Sequence, residues 1–185
     1  QALVDRRQQP VARDLGAKAL EPDRFFYDAA LRLFDRERAR ETADRPVFMF
    51  VYLAANHLPW SARFRPELTP NWRETGNPFH IDEYLRRQTM SAEDFSTFLS
   101  RLKKQYPDQP FLIVRFGDHQ PDFSSFIIEP GIDDDGIAKR LMAYDPRYFT
   151  TYYAIDAINF KPANLASALG TIEAAYLPLI VQDLA

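Results

Sequence analysis

46-PVFMFVYLAANHLPW-60 is the stretch on which the fold turns. From Pro46 to Ala55 it is an unbroken apolar run rich in Val, Phe and Tyr. A run without polar alternation predicts a strand covered on both faces, as in α/β sheets. The run closes in a polar tip, Asn56-His57, followed by Leu58 and Pro59. A second run of the same kind, 110-PFLIVRF-116, closes at Gly117 and leads into Asp118 and His119.

Outward from these two runs, the pattern alternates. Before the first, 24-RFFYDAALRLFDRERARETA-43 places Phe26, Ala29, Ala30, Leu33 and Phe34 at helical spacing, with Asp23 as the expected N-cap. Between the runs lies a long loop to about Pro78, marked by Pro59, Pro66, Pro70 and Gly76. Two helices are then expected, a short one over 80–88 and a second opening at Ser91 with Asp94 three residues on. The second carries Phe95, Phe98, Leu99 and Leu102 on one face. After the second tip, 132–146 reads as a helix with an acidic N-terminus and 147–157 as a third, aromatic strand. Residues 164–184 read as helix broken or kinked near Pro178. Strands alternating with helices predict an α/β layered fold with a largely parallel sheet between helices. Residues 1–20 are expected to be an irregular lead-in arm, and 21–185 the α/β domain.

Bulk properties exclude several functions. The chain has 185 residues, enough for one domain with a real core. Its net charge is -3, so there is no electrostatic case for nucleic-acid binding. Arg6, Arg7 and Arg13 are soon followed by acids and read as a solvated segment. No cysteine is present, which removes disulfides, thiolate metal sites and a cysteine nucleophile. No apolar run approaches the ~18 residues of a membrane span. Neither a G-x-S-x-G elbow nor a phosphate-cradling glycine loop occurs. The chain opens on Gln1, which fits a piece of something longer.

The candidate chemistry sits at the two tips. In α/β sheets ligands gather beyond the carboxyl ends of strands, and parallel strands would put His57 and His119 on one sheet edge. Successive strand residues point to opposite faces, so Asp118 and His119 can share an ion only if the chain turns there. Gly117 is expected to supply the freedom for that turn. Carboxylate plus imidazole suits Zn²⁺ or Mn²⁺, yet two ligands fall short of the three or four zinc takes. A hydrogen-bonded polar turn explains the same residues. His80 reads as a helix-start residue, and 133-DDD-135 as a solvated helix N-terminus rather than a calcium loop. Trp60, Phe64 and Trp72 either wall a pocket or pin the long loop to the core.

Together, 46-PVFMFVYLAANHLPW-60 and 93-EDFSTFLSRLKKQYPDQPFLIVRFGDHQP-121 resemble the later half of a sulfatase-like domain of the alkaline phosphatase superfamily. The likeness is to lipoteichoic acid synthases and to phosphoglycerol and phosphoethanolamine transferases. The helix 21-EPDRFFYDAALRLFDRE-37 and the tyrosine-rich 148-YFTTYYAIDAIN-159 fit the same resemblance, which spans about residues 20–184. It implies an alkaline-phosphatase-like fold, present here as an incomplete fragment. It further implies a divalent metal, Zn²⁺ or Mn²⁺ ahead of Mg²⁺ or Ca²⁺, held by Asp118 and His119, with His57 contacting the oxygens of a phosphate- or sulfate-ester substrate. The Asp-His pair and the absence of cysteine tilt toward the phosphotransferase branch, which uses a threonine nucleophile.

In the family that nucleophile and the remaining carboxylates lie upstream of the matched segment. Residues 1–20 hold no Ser or Thr, and Thr69, Thr150 and Thr151 do not sit in its motif. The resemblance therefore implies a fragment inactive by itself, from a membrane-anchored parent with this domain outside the cytoplasm. Self-association through an exposed sheet edge is the expected partner behaviour. The alternative is a non-catalytic member of the same fold acting as a binding or interaction module.

Overall fold

In the computed structural model, residues 21–40, 45–163 and 170–184 are described. The expected arm at 1–20 lies outside them. Two units divide the chain, one ending at Phe98 and the other beginning at Leu99.

In the first unit, helix α1 spans Asp23–Arg38. Its buried stripe is Tyr27, Ala30, Leu31 and Phe34, spaced three and four residues apart as one helical face requires. The stripe is rotated from the expected one, so Phe26, Ala29 and Leu33 flank the core and Tyr27 and Leu31 enter it. The Tyr27 ring stacks on Phe98 at 4.4 Å and meets Phe95 at 6.2 Å. Asp23 does not cap: Pro22 occupies the N-cap, and Asp23 is the first helical residue, buried.

Helix α2 runs unbroken over Phe79–Gln105, replacing the two helices expected. No Gly or Pro interrupts 79–105, and Met90, which falls in the expected gap, is fully buried. Ser91 lies mid-helix and gives its hydroxyl to the Asp23 carboxylate instead of capping a new helix. The buried positions of the first turns are charged: Asp82, Glu83, Arg86 and Arg87 precede Met90 on the inner face. The loop 45–78 carries no helix or strand. Its Leu58–Pro59 peptide is cis.

The expected strand over 46–55 does not form. Burial along it alternates, with Phe48 at 92% and Phe50 at 68% exposed and Met49 and Val51 partly covered. That period of two is a strand's, but no described residue pairs with it in a ladder. A continuous apolar run states that both faces can be covered; it does not supply the covering layer or the neighbouring strand.

The second unit holds the only sheet among the described residues. Strand β1, Phe111–Phe116, pairs antiparallel with β2, Tyr153–Ile158, in the register Phe111↔Ile158 to Phe116↔Tyr153. The fold is thus α/β in general, and the expected largely parallel sheet gives way to two antiparallel strands. The connection from Phe116 to Tyr153 contains two short helices, α3 (Ser124–Ile128) and α4 (Asp134–Met142), and a 3-10 turn at Pro146–Tyr148. It returns the chain beside β1 pointing the other way. The expected third strand begins later than 147, because Asp145 accepts from Arg147 N and starts the 3-10 turn there. Asp133 caps α4 by accepting from Gly136 N at 2.8 Å, in keeping with its acidic start.

At the far end of the hairpin, Asn159 Nδ2 donates to the carbonyls of Tyr106 (2.7 Å) and Gln109 (2.9 Å), tying β2 to the turn after α2. A 3-10 turn at Ala174–Tyr176 gives way to the final helix α5, Leu177–Leu184, so the expected break near Pro178 is present, with Pro178 in the first turn of α5, where a missing N–H is harmless. Residues 164–169 of the expected tail helix lie outside the described set.

Truncating Met90 tests the continuity of α2. Met90→Ala should lower unfolding stability by about 2–5 kcal/mol, read from urea melts. A loss below about 1 kcal/mol would show that the middle of α2 is not packed as described.

Candidate functional site

The first tip begins where the run 46–55 ends. His57 N donates to Ala54 O at 3.0 Å, a tight turn that projects the residue from the chain, and Trp60 Nε1 donates to Asn56 O at 3.2 Å. Trp60 is buried and meets the Tyr84 ring edge-on at 5.5 Å, so it pins the loop to the core. His57 Nδ1 lies 2.7 Å from Leu58 O. A carbonyl only accepts, so Nδ1 carries the proton and Nε2 is left for a ligand.

Beneath the tip is a network of buried charges. Glu83 is 0% exposed, and its Oε1 accepts from Arg87 Nε (2.9 Å) and from the backbone N of Phe64 (2.7 Å). Its Oε2 accepts from Arg86 Nε at 3.2 Å and lies 3.3 Å from Arg63 Nε. Arg63 Nε and Arg86 Nη2 sit at ion-pair distance from Glu83 but outside hydrogen-bond geometry, so the attraction there is Coulombic. The guanidinium groups spend their other donors on loop carbonyls. Arg87 reaches His57 O, Pro59 O and Ala62 O; Arg86 reaches Trp72 O; Arg63 reaches Pro70 O and the Thr69 hydroxyl. Arg87 also stacks over Phe64, and Arg86 over Trp72 and Phe79.

The sequence reading missed this network. Its signal is Glu83 three and four residues ahead of Arg86 and Arg87, a spacing that exposed helices share. What distinguishes it is the preceding loop, whose carbonyls lack ladder partners and need donors from elsewhere.

A second missed feature is Asp23, 4% exposed. Burial raises its pKa, and the Asp94 charge adds to that, while the Ser91 hydroxyl and Ala55 N–H work against it. Asp94 is itself held by Arg24, through its backbone N at 2.9 Å and Nε at 2.6 Å.

The second tip sits at the end of β1. Gly117 N donates to Tyr152 O at 3.1 Å, continuing the ladder one residue. The glycine is not there for a left-handed turn; a Cβ at 117 would run into Thr151 Oγ1. Asp118 and His119 do come together. Asp118 Oδ1 accepts from His119 N at 2.9 Å, and its Oδ2 lies 3.7 Å from His119 Nε2. Both side chains are about two-thirds exposed, at 67% and 65%. His119 Nδ1 lies 2.8 Å from Gln120 O, which again leaves Nε2 for a ligand. Gln120 fastens the tip by donating to Arg147 O (2.8 Å) and Thr150 O (2.6 Å). The Arg147 side chain grips Asp145, whose carboxyl it holds below the ordinary range.

The donor set fits a divalent ion in part. Two ligands about 2.0–2.1 Å from a tetrahedral metal stand roughly 3.3 Å apart, close to the 3.7 Å observed. Among the described residues, no group of three or more His, Asp or Glu side chains is placed to hold a metal. Asp118 and His119 are therefore a pair, and His57 belongs to the other unit. His80 opens α2 and is exposed, and the acids at 133–135 form the start of α4. No described helix is long and apolar enough to cross a membrane. Comparison with protein-family models, with characterised proteins and with solved structures gives no match.

Two outcomes follow from these local arrangements. Because the folded state raises the Asp23 pKa, its contribution to stability is full below the unfolded value near 3.8 and is lost as pH rises through the folded value. Asp23→Asn, which imitates the neutral acid, should be more stable than wild type at pH 7, with the difference vanishing toward pH 4. An equal difference at both pH values would remove the linkage. Separately, Gly117→Ala should destabilise by about 1–3 kcal/mol through overpacking. Most of that loss should disappear in a Thr151→Ala background, and strict additivity of the two changes would refute the proposed clash.

Proposed function

We propose that this chain is the C-terminal part of a metal-dependent, sulfatase-like enzyme acting on phosphate or sulfate esters as a transferase or hydrolase. The layered alkaline-phosphatase-like fold belongs to the same proposal, and so does a nucleophile that is not among these 185 residues. One observation carries it. At both tips the histidine Nδ1 is tied to the next residue's carbonyl, at 2.7 Å for His57 and 2.8 Å for His119, so that each ring presents Nε2. At the second tip that nitrogen lies 3.7 Å from a carboxylate oxygen. A backbone carbonyl on the far ring nitrogen is the usual outer-shell arrangement of a metal-binding histidine.

Asp118 would hold the ion through Oδ2 and His119 through Nε2. When bound, a divalent ion supplies Lewis-acid polarisation of the ester oxygen and a lowered pKa for the attacking group. The chain's own part is to orient. Asp118 Oδ1 is spent on His119 N, which leaves Oδ2 for the ion and keeps both residues on one turn. His57, when its ring is protonated, can donate from Nε2 to a phosphate or sulfate oxygen. A second reading, a non-catalytic module of the same fold that binds a partner, is favoured by the outward row Phe48, Phe50 and Tyr52.

Titration of the chain with Zn²⁺ or Mn²⁺, followed at the His119 ring by NMR, tests the proposal. Asp118→Ala and His119→Ala should each weaken binding by at least the ~10–100-fold that loss of an outer-shell partner causes. Unchanged affinity in both variants would remove the metal role of this tip.

A further inference from the structure

We infer that Arg87 is a positioning residue for His57: a buried guanidinium that holds the backbone on both sides of the Leu58 carbonyl and so determines which ring nitrogen the tip offers. The inference rests on the reading of His57 as the contact to a phosphate or sulfate oxygen.

Arg87 is 3% exposed, and its donors are committed in one direction. Nε is anchored on Glu83 Oε1 at 2.9 Å; Nη1 donates to His57 O at 3.0 Å, and Nη2 to Pro59 O at 3.1 Å and Ala62 O at 3.2 Å. These bonds fasten three peptide units of a segment without helix or strand to a helix. The His57 side chain is exposed, and its own contact to the tip is Nδ1 to Leu58 O at 2.7 Å. The Leu58 carbonyl falls between the two carbonyls, of His57 and Pro59, that Arg87 grips. Holding those two restricts the direction of the third. The third orients the ring through Nδ1–H, the only form of the neutral ring it favours and a donor in the protonated ring as well, so that Nε2 faces away from the backbone.

The guanidinium is needed for its shape as well as its charge. Lysine in its place could satisfy Glu83, but a single ammonium cannot span carbonyls that a planar fork reaches together. The Glu83 pairing explains why so many donors can be spent on neutral acceptors: the charge of Arg87 is already balanced.

Arg87→Lys in the full chain separates positioning from bulk support. With only three histidines in the chain, the rings can be followed individually by NMR. In the neutral ring, the His57 nitrogen shifts should move from the Nδ1–H form toward a mixture of tautomers, while His80 and His119 keep their wild-type values. With the ring protonated, the response of His57 to inorganic phosphate should weaken about tenfold, the scale of effect expected when a contact is displaced by a fraction of an ångström.

A folded Arg87→Lys protein with wild-type His57 tautomer and phosphate response would overturn the inference. If Arg87→Lys does not fold, Glu83→Gln loosens the same fork while keeping its shape. It should shift the His57 tautomer in the same direction to a smaller extent, and no shift would overturn the inference equally. Wild-type protein whose His57 ignores phosphate would sink the oxyanion role of His57, while the tautomer shift would still decide whether Arg87 sets the ring.

Discussion

The first unit depends on one buried ion pair, Glu83 with Arg87. Removing two charges from water costs several kcal/mol for each ion and is offset only when every remaining donor and acceptor is used. Here they nearly all are. Glu83 collects a backbone N–H and two guanidinium N–H groups, and Arg87 covers three carbonyls as well as its partner. The carbonyls are the reason for the charges. Residues 56–78 have no regular element, so their polar backbone groups cannot pair in a ladder, and those turned inward need donors from side chains. Three arginines supply them, and one carboxylate keeps the arginines from repelling each other.

This arrangement explains the long helix α2. A helix whose first buried turns carry Asp82, Glu83, Arg86 and Arg87 looks amphipathic the wrong way round, with its charges inside. Met90 and Asp94 continue that face at three- and four-residue spacing, while Phe95 and Leu102 are buried further round the helix. Continuity through Met90 keeps Asp94 on the face that Glu83 and Arg87 begin. The capping pattern at Ser91 and Asp94 was misleading because both side chains are spent elsewhere, Ser91 on Asp23 and Asp94 on Arg24. Sequence spacing records which residues could cap a helix. It does not record a competing partner some 70 residues away.

The legible parts were those decided locally. The existence of α1, though not which face it buries, the run that becomes β1, the acidic start of α4 and the polar Gly117-Asp118-His119 tip can all be read from neighbours within one or two turns. What failed was the long-range part. Both apolar runs have the composition of covered strands, yet β1 finds β2 while the run 46–55 has no ladder among the described residues. The direction of β2 was likewise beyond the pattern. Two short helices and a 3-10 turn occupy the connection from β1, and the register Phe111↔Ile158 is set by where that connection ends and by Asn159 fastening the hairpin to the turn after α2. At Gly117 the expected freedom to turn is not what the position requires. Its role depends on Thr151, which only the returning strand brings near.

The two tips reach the same local result by different physics. Each histidine is oriented by the carbonyl that follows it, but the backbone supporting that carbonyl differs. At His57 the support is a buried guanidinium, and a buried charge pair is little screened by salt. At His119 it is the amide of Gln120 on two carbonyls, an exposed, neutral support in which each bond contributes about 0.5–1.5 kcal/mol. The first tip is thus preorganised by the fold, whereas the second is held by interactions water can replace. Such weakly held segments are where ligand binding most readily supplies order. An ion shared by Asp118 and His119 would bridge the two side chains that now touch mainly through backbone and a 3.7 Å approach. On the proposed function, the stiff tip would recognise a substrate oxygen and the compliant one would adjust its two donors around a metal.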